Sequence, residues 1–442
     1  MKMRLLVAFL IVVTVALVYP LSVFATTYTW TAQTGSGSRS WWGIASSDDG
    51  TKLVAGVAAG YIYTSTDSGA TWTEQTTSGI RNWYVVTSSS DGTKLAAGDN
   101  GGYIYTSTDS GATWTQRTGS GQRSWYGITS SSDGAKLAAI VNGGYLYTSV
   151  DSGATWTERT GAGFRGWQGI TSSADGTKLA ATVTGGYIYT SADSGVTWTE
   201  QTGSGSRSWW QIASSDDGTK LVAGITGSNP VYTSADSGAT WTAQTASGNR
   251  TWYGIASSAD GTKLVAGANN GYIYLSTDSG ATWTEQTGAG SRKWYGLTSS
   301  SDGAKLAGTA NANYVYTGVP DTTPPTLSSF TSTTANGTYK IGDTVNITAN
   351  FNETLGASST MTVVLDTGAS VTLSTISGTT LTGTYTVASG NTSSDLTVSS
   401  ITSASVNDIA LNNATSFSVP SAPNNIADTK ALVIDGVLPT LS

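Results

Sequence analysis

Hydrophobic and polar positions alternate along this chain in short runs separated by turns rich in Asp, Asn, Gly and Ser. In one stretch, Trp125–Thr129, Lys136–Ala139, Tyr145–Thr148 and Thr155–Glu158 each combine aromatic, β-branched or apolar residues over four or five positions. Such runs favour β-strands. The Asp-Gly dipeptide in Ser132–Gly134 supplies the positive φ angles of a hairpin turn. The pattern therefore predicts units of four short antiparallel strands.

An eight-residue phrase, Ser-x-Asp-x-Gly-x-Thr-Trp, marks the turn before the fourth strand and recurs six times. Its tryptophans are spaced by 42 or 43 residues, at Trp72, Trp114, Trp156, Trp198, Trp241 and Trp283. A period of about 40–50 residues built from short strands is typical of β-propellers. Its aspartates are expected to be structural, accepting hydrogen bonds from their own turns: Asp67, Asp109, Asp151, Asp193, Asp236 and Asp278.

A second marker, Arg-x-Trp, occurs seven times and opens the first strand of each unit. The last unit ends at Tyr314–Thr317 without the eight-residue phrase, but the segment 28–34 near the start of the chain matches 239–245 in sequence. An N-terminal strand is therefore expected to complete the last unit and close the ring, which removes open sheet edges. We predict a seven-bladed β-propeller over residues 26–320.

Beyond Pro320 the composition changes to a tryptophan-free segment rich in Thr, Ser, Val and Asn. Short strand-like runs at Thr344–Ala349, Met361–Leu365, Ser370–Leu373 and Leu381–Val387 predict a β-sandwich over residues 321–442. The final eight residues, 435–442, repeat the opening phrase of this segment 114 residues later. We interpret them as the start of a possible further repeat.

The first 25 residues have the pattern of a secretory signal peptide. Lys2 and Arg4 precede the apolar run Leu5–Leu17, and small residues stand at Val23 and Ala25 before the predicted cleavage point. The alternative is an uncleaved anchor, although the run is short of the roughly 20 residues of a full span. No second hydrophobic span follows. The mature chain is predicted to lie outside the membrane, secreted or on the cell surface.

The composition limits the ligands and the chemical reactions that are open to this chain. The formal net charge is −7, from 21 Lys and Arg against 28 Asp and Glu, which argues against nucleic-acid binding. The chain has no cysteine and no histidine, so it has neither disulfides nor the commonest zinc ligand and general base. No cofactor and no metal are expected. Asp343, Asp366 and Asp408 match no calcium-loop spacing.

The eight-residue phrase resembles the Asp box of bacterial sialidases, sortilin-like proteins and photosystem II assembly-factor-like proteins, over residues 26–320. This resemblance implies an Asp-box (BNR) propeller in which the box is a folding element and its tryptophan packs between sheets. Among such relatives an Arg-rich face can hold a protein. The segment after Pro320 resembles bacterial Ig-like domains, in part through Phe351-Asn352-Glu353.

Blade topology places the Arg-x-Trp pairs on one face, around the channel mouth, opposite the Asp boxes. A ring of arginine and aromatic side chains suits an anionic or carbohydrate ligand. The alternative is that each tryptophan opens a buried inner strand, and that the arginine stacks on this tryptophan or pairs with an aspartate to seal neighbouring blades. The position after each Trp adds Trp42, Tyr84, Tyr126, Gln168, Trp210, Tyr253 and Tyr295. The candidate ligand-binding residues are Arg39, Arg81, Arg123, Arg165, Arg207, Arg250, Arg292, Trp41, Trp83, Trp125, Trp167, Trp209, Trp252 and Trp294.

Catalysis is not favoured by the sequence. The sialidase resemblance implies one asymmetric site with three arginines, a Tyr/Glu pair and an Asp, whereas these repeats are near copies. Asp99 lacks the second carboxylate that a glycosidase needs. The recurring glutamates occupy one outer-strand position, expected to be far from the channel: Glu74, Glu158, Glu200 and Glu285. We predict a monomeric, non-catalytic protein that binds an extracellular glycan or protein. The alternatives are a structural scaffold or adhesin, and a glycoside hydrolase.

Overall fold

The computed structural model describes residues 27–410 and 412–438. The described chain is almost entirely β-structure, with short 3-10 turns and one four-residue helix. No helix within these ranges combines the length and the apolar character needed to cross a bilayer. The predicted signal peptide, residues 1–25, lies outside the described residues, as do residues 439–442, the second half of the repeated phrase near the C-terminus.

In the N-terminal region, residues 27–320, one antiparallel unit of four strands recurs. The first strands are β2 (Arg39–Ser46), β6 (Trp83–Ser88), β10 (Arg123–Ser130), β14 (Arg165–Ser172), β18 (Arg207–Ser214), β22 (Trp252–Ser257) and β26 (Trp294–Ser299). The second strands are β3 (Leu53–Val57), β7 (Leu95–Gly102), β11 (Leu137–Gly144), β15 (Leu179–Gly186), β19 (Leu221–Ile225), β23 (Leu264–Ala268) and β27 (Leu306–Asn313).

The outer half of each unit consists of two shorter strands. The third strands are β4 (Ile62–Ser65), β8 (Ile104–Ser107), β12 (Leu146–Ser149), β16 (Ile188–Ser191), β20 (Val231–Ser234), β24 (Ile273–Ser276) and β28 (Val315–Pro320). The fourth strands are β5 (Thr73–Gln75), β9 (Thr115–Arg117), β13 (Thr157–Arg159), β17 (Thr199–Gln201), β21 (Thr242–Gln244), β25 (Thr284–Gln286) and β1 (Tyr28–Gln33). Three-residue 3-10 turns connect each fourth strand to the next first strand: Thr34–Ser36, Thr76–Ser78, Thr118–Ser120, Thr160–Ala162, Thr202–Ser204, Thr245–Ser247 and Thr287–Ala289.

The units form a closed circle. Each first strand lies against the first strand of the next unit, and β26 returns to β2. At the hairpin between first and second strands, Asp48 N–H donates to the Ser90 carbonyl (2.8 Å), and the series continues round to Ser301 N–H, which donates to Asp48 (2.7 Å). The N-terminal strand β1 pairs antiparallel with β28, so the two ends of this region share one sheet.

The hydrophobic core of the N-terminal region lies between neighbouring units. The tryptophan of each Arg-x-Trp pair packs there, for example Trp83 against Val54 and Ile62 of the preceding unit. All seven of these indoles have 0% exposure: Trp41, Trp83, Trp125, Trp167, Trp209, Trp252 and Trp294. They present no face to a ligand, so the proposal that they line a binding surface is corrected. The large apolar area that they bury stabilises the contacts between the sheets.

The C-terminal region has a separate core. Its strands are β29 (Leu327–Thr331), β30 (Gly337–Lys340), β31 (Thr344–Phe351), β32 (Thr360–Leu365), β33 (Ser370–Leu373), β34 (Thr375–Ser377), β35 (Thr380–Thr386), β36 (Thr392–Ser393), β37 (Val398–Ser405) and β38 (Leu432–Asp435), with helix α1 (Ile426–Thr429) before β38. They form three sheets, ordered β29-β31-β35-β34, β33-β32-β37 and β30-β38-β36. Apolar side chains from all three sheets, such as Phe330, Val363 and Ile434, share one buried cluster.

Candidate ligand-binding face

The seven arginines of the Arg-x-Trp pairs share one geometry. Each guanidinium lies 4.2–4.8 Å from the ring centroid of a tyrosine in the third strand of its own unit. Each also donates, at 2.6–3.3 Å, to a carbonyl of the preceding 3-10 turn. Stacking on tyrosine and a turn hydrogen bond together hold the long side chain in one orientation.

This geometry corrects the expected position of the arginines. They were predicted to ring the channel mouth, and in the alternative interpretation to stack on their own tryptophans. Instead they extend over the outer half of each unit, where the third and fourth strands lie, and no arginine lines the central cavity. The stacking tyrosines are Tyr63, Tyr105, Tyr147, Tyr189, Tyr232, Tyr274 and Tyr316.

Glutamates of the fourth strand complete this arrangement in four units. Tyr147 donates its hydroxyl to Glu158, whose carboxylate lies 3.9 Å from Arg123. Equivalent tyrosine–glutamate hydrogen bonds join Tyr63 to Glu74, Tyr189 to Glu200 and Tyr274 to Glu285. These glutamates are indeed remote from the channel, but sequence reasoning missed that they face the arginines. The signal was available, because Tyr and Glu directly oppose each other in the strand register.

Burial, and then the hydrogen bond to glutamate, raises the pKa of the tyrosine in these units. The pKa of Tyr63, Tyr189 and Tyr274 rises to about 12. A phenol with so high a pKa stays protonated at neutral pH and donates to glutamate. The hydrogen bond also fixes the glutamate beside the stacked arginine.

Two arginines differ from the others because the residue opposite their tyrosine has neither a carboxylate nor a carboxamide. Alanine takes that position in both units: Ala243 opposite Tyr232, beside Arg207, and Ala32 opposite Tyr316, beside Arg292. Within residues 27–410 and 412–438, neither guanidinium has a carboxylate within 4.0 Å; Arg39 also has none at that distance, but its tyrosine is bonded to Glu74. The exposed Lys293 follows Arg292 directly. We call Arg207, Arg292 and Lys293, which lie in two units on either side of the Arg250–Glu285 pair, the cationic sector.

In the remaining unit with no glutamate, an aspartate neutralises the arginine. Gln116 opposes Tyr105, and Asp99 lies 3.9 Å from Arg81. Burial is the largest influence on Asp99 and raises its pKa. A hydrogen bond from the backbone N–H of Asn82 and the charge of Arg81 act to lower that pKa. Asp99 therefore belongs to an ion pair rather than to a catalytic carboxylate pair.

Aromatic side chains, rather than arginines, line the mouth of the central channel. Trp42 stacks between Tyr84 and Tyr295, with ring centroids 4.1 and 4.5 Å away, and Tyr253 lies against both Tyr295 (5.5 Å) and Trp210 (5.1 Å). Tyr126 extends the series from Tyr84 at 6.1 Å. The cavity enclosed by these rings has a volume of about 110 Å³, and its lining includes no Asp, Glu, Lys or Arg from the described residues.

The Asp-box aspartates lie in turns between the third and fourth strands. Asp67 accepts hydrogen bonds from Thr71 N–H (2.8 Å), Thr71 Oγ1 (2.6 Å) and Ser65 Oγ (2.8 Å). The threonine hydroxyl is the main cause that lowers the pKa of this carboxylate. Asp109, Asp151, Asp193, Asp236 and Asp278 make equivalent bonds. The box tryptophans are half-buried and pack on the fully buried ones, as Trp72 does on Trp41 (6.0 Å).

One carboxylate cluster lies where the two regions meet. Oxygens of Asp321, Glu353 and Asp408 approach within 4.8 Å of one another, so these residues could hold a cation. Burial, then the charges of Asp321 and Asp408, raise the pKa of Glu353 to about 7. Asp343 and Asp366 are not part of this cluster: Asp343 accepts from Lys340 N–H in its own turn, and Asp366 accepts from Ser393 Oγ of β36. Sequence spacing could not reveal a cluster whose members are 32 and 55 residues apart.

Comparisons with known proteins support the fold. No family model and no curated protein sequence matches the chain. Among solved structures, YCF48 bound to D1 peptide is similar with a TM-score of 0.54 and 15% identity, covering 67% of this chain and all of that one. The Cps50 (Swd1) β-propeller domain of Myceliophteria thermophila is similar with a TM-score of 0.53 and 13% identity, covering 66% of this chain and all of its own. The chain is thus an all-β protein with a β-propeller over about two thirds of its length.

Proposed function

We propose that this protein is a secreted or cell-surface, non-catalytic binding protein whose partner docks on the face that carries the arginines. Its architecture would be a seven-bladed Asp-box propeller over residues 26–320, followed by an Ig-like β-sandwich over residues 321–442. The closed circle of first strands and the pairing of β1 with β28 support the blade count. The shared core of three antiparallel or mixed sheets supports the sandwich.

The observation that carries this proposal is the cationic sector. Arg207 and Arg292 are held rigidly over tyrosines, with no carboxylate within 4.0 Å among the described residues. A pre-positioned guanidinium recognises carboxylate, sulfate or phosphate groups with little loss of side-chain entropy. In a protein of net charge −7, such a sector favours an anionic partner: an acidic glycan or an acidic protein segment. The similar YCF48 structure has a peptide bound, which makes a protein partner reasonable.

A non-enzymatic role is supported by the chemistry of the channel mouth. Its lining offers aromatic rings, aliphatic side chains and carboxamides, whereas glycoside hydrolysis ordinarily uses two carboxylates. The tyrosine–glutamate pairs lie over the outer strands, and their tyrosines have raised pKa values. We therefore place hydrolase activity behind binding.

The experiment is a binding and turnover panel with the purified full chain. Alginate and polyglutamate represent acidic glycans and acidic protein segments, and neutral dextran is the reference. We expect Arg207→Ala with Arg292→Ala to lose binding to the polyanions. The matched control, Arg123→Ala with Arg165→Ala, removes two arginines that glutamates already neutralise and should retain most of it. Equal loss in both variants, or release of sugar products by the wild type, would overturn the proposal.

A scaffold is the second candidate, because every arginine also stabilises its own unit. Each guanidinium bonds a turn carbonyl and covers a buried tyrosine, as Arg207 covers Tyr232. If the arginines act only in this way, the Arg207/Arg292 variant will lose thermal stability while the wild type binds none of the three polymers. The propeller would then display partners attached elsewhere on the chain.

A further inference from the structure

The aromatic ring at the channel mouth is interrupted at one position. Six of the seven equivalent residues are Trp or Tyr, and the seventh is Gln168. Most ring faces are covered by a neighbour, as both faces of Trp42 are. On either side of Gln168, however, Tyr126 and Trp210 each have only one aromatic neighbour in the ring, Tyr84 and Tyr253 respectively. Two aromatic faces therefore border the gap.

A second departure from the repeat lies in the same gap. Gln211 occupies a position that is glycine in five of the other six units, Val85 being the exception. It reaches back toward the preceding unit, since a Cβ atom added to Gly169 would lie 2.7 Å from Gln211 Oε1. Gln168 and Gln211 thus bring two carboxamides into a space bordered by Tyr126 and Trp210, and all four residues line the same cavity.

The polar chemistry of the gap is incomplete without a ligand. The Oε1 atom of Gln168 is shielded from solvent, yet it has no hydrogen-bond partner among the described residues. A buried acceptor left unpaired costs about 1–3 kcal/mol, so turning the Gln168 carboxamide toward a donor in the cavity would stabilise the site. The cavity lining carries no charged side chain among the described residues, which argues against an ionic ligand here.

The size of the cavity limits the ligand to a single ring. Its volume is about 110 Å³, and it opens toward solvent at the channel mouth. A closed apolar cavity of about 150 Å³ accommodates benzene, so this smaller space admits one edge of a six-membered ring, with the rest of the ring in the open channel mouth. Aromatic faces for C–H contacts, together with carboxamides for hydroxyl groups, form the polar and apolar combination of a small-molecule site.

We propose that the gap between Tyr126 and Trp210 binds one neutral sugar ring, with the Gln168 carboxamide turned to meet one of its hydroxyl groups and a second polar contact to Gln211. This site is distinct from the cationic sector, since no arginine of the described residues lines the cavity. A glycan with one uncharged ring free to enter the channel mouth is the corresponding ligand.

The test is saturation-transfer NMR on the full chain with methyl glucoside, methyl galactoside and methyl mannoside as probes, and p-cresol as a stand-in for a tyrosine side chain. At least one glycoside should receive saturation from the wild type. Gln168→Tyr fills the gap with the residue found at four equivalent positions, so it should fold and abolish the signal. Gln211→Gly should weaken binding about tenfold, the effect of losing one hydrogen bond.

The Arg207/Arg292 alanine variant is the matched control, and it should bind the glycoside as the wild type does. Whether the wild type and that variant bind polyanions tests only the proposed function. The sugar site does not depend on that result. The sugar proposal is overturned if no glycoside binds, if Gln168→Tyr binds as well as the wild type, or if p-cresol binds at this site and the glycosides do not.

Discussion

Carboxylates in the turns of the N-terminal region and carboxylates at the junction with the C-terminal region have pKa values that are shifted in opposite directions. In the repeated turns, most aspartates accept hydrogen bonds from Ser, Thr or backbone N–H groups of their own turn, and the pKa of Asp49 and Asp151, for example, falls to about 2. Asp216 is an exception, because burial and then the charge of Asp48 raise its pKa. At the junction, Glu353 lies beside Asp321 and Asp408, and burial with like charge raises its pKa to about 7. A repeated turn thus satisfies most of its charges locally, whereas a single-copy junction holds charges close together without neutralising them.

The largest expected loss of stability comes from substitutions in the two separate hydrophobic cores. Trp125 and Phe330 are both fully buried, one in each region. Replacing either by alanine should destabilise its own region by about 3–5 kcal/mol, because a large cavity is left. All 16 tryptophans lie between residues 30 and 294, so tryptophan fluorescence during urea unfolding reports the N-terminal region alone.

Trp125→Ala should therefore move the fluorescence transition, and Phe330→Ala should leave it in place while shifting a separate calorimetric transition. If Phe330→Ala moved the fluorescence midpoint by the same amount, the two regions would unfold as one unit. The comparison between them would then lose its basis.

A smaller effect is expected from the junction. Because the folded pKa of Glu353 is raised from 4.5 to about 7, the folded state binds more protons than the unfolded state between these values. The stability of the C-terminal region should fall as pH rises from about 4.5 to about 7. Glu353→Gln should remove this dependence and stabilise the region at pH 8 by roughly 1–2 kcal/mol, after allowance for solvent screening.

The measurement is the calorimetric midpoint of the full chain at several pH values, with a chelator present so that no cation neutralises the cluster. Glu353→Asp is the control, because it keeps the charge and should keep the pH dependence. A wild-type midpoint that rises from pH 5 to pH 8 in chelator would contradict the description of the junction.

The smallest of these stability effects concerns one repeated turn. Asp151→Ala removes an acceptor for Thr155 N–H, Thr155 Oγ1 and Ser149 Oγ, and should cost about 1 kcal/mol in the exposed turn. Because the folded pKa is lowered, this stabilisation is present above pH about 4 and is lost as pH falls toward 2. Wild type and variant should therefore converge in acid, as followed by tryptophan fluorescence. A difference that persists at pH 2 would show that the carboxylate charge is not involved.

Much of the fold could be predicted from the sequence because it depends on local patterns. The strand periodicity and the Asp-Gly turns predict a propeller, and the likeness of 28–34 to 239–245 anticipates the pairing of β1 with β28. What could not be predicted depends on side-chain direction. The arginine was expected over Trp or at the channel, but it stacks on a tyrosine two strands away. The Asp321, Glu353 and Asp408 cluster joins residues distant in sequence, which no local pattern shows.

The candidate binding site could be predicted only in part, for the same reason. The repeat made every Arg-x-Trp pair look equivalent, so nothing in the pattern separated Arg207 and Arg292 from the others. Their distinction comes from Ala243 and Ala32, which stand across the sheet where four other units have glutamate. Once the strand register is known, these two alanines can be found in the sequence.

The most direct test of the binding proposal keeps every arginine and changes only its neutralisation. Ala32→Glu with Ala243→Glu places a glutamate opposite Tyr316 and Tyr232, as Glu158 stands opposite Tyr147. The titration of this full-length variant with alginate and polyglutamate should show binding at least about tenfold weaker than the wild type, which corresponds to about 1.4 kcal/mol. Its thermal midpoint should be equal or higher. Unchanged binding, with both glutamates in place and the fold intact, would contradict the assignment of the cationic sector as the docking site.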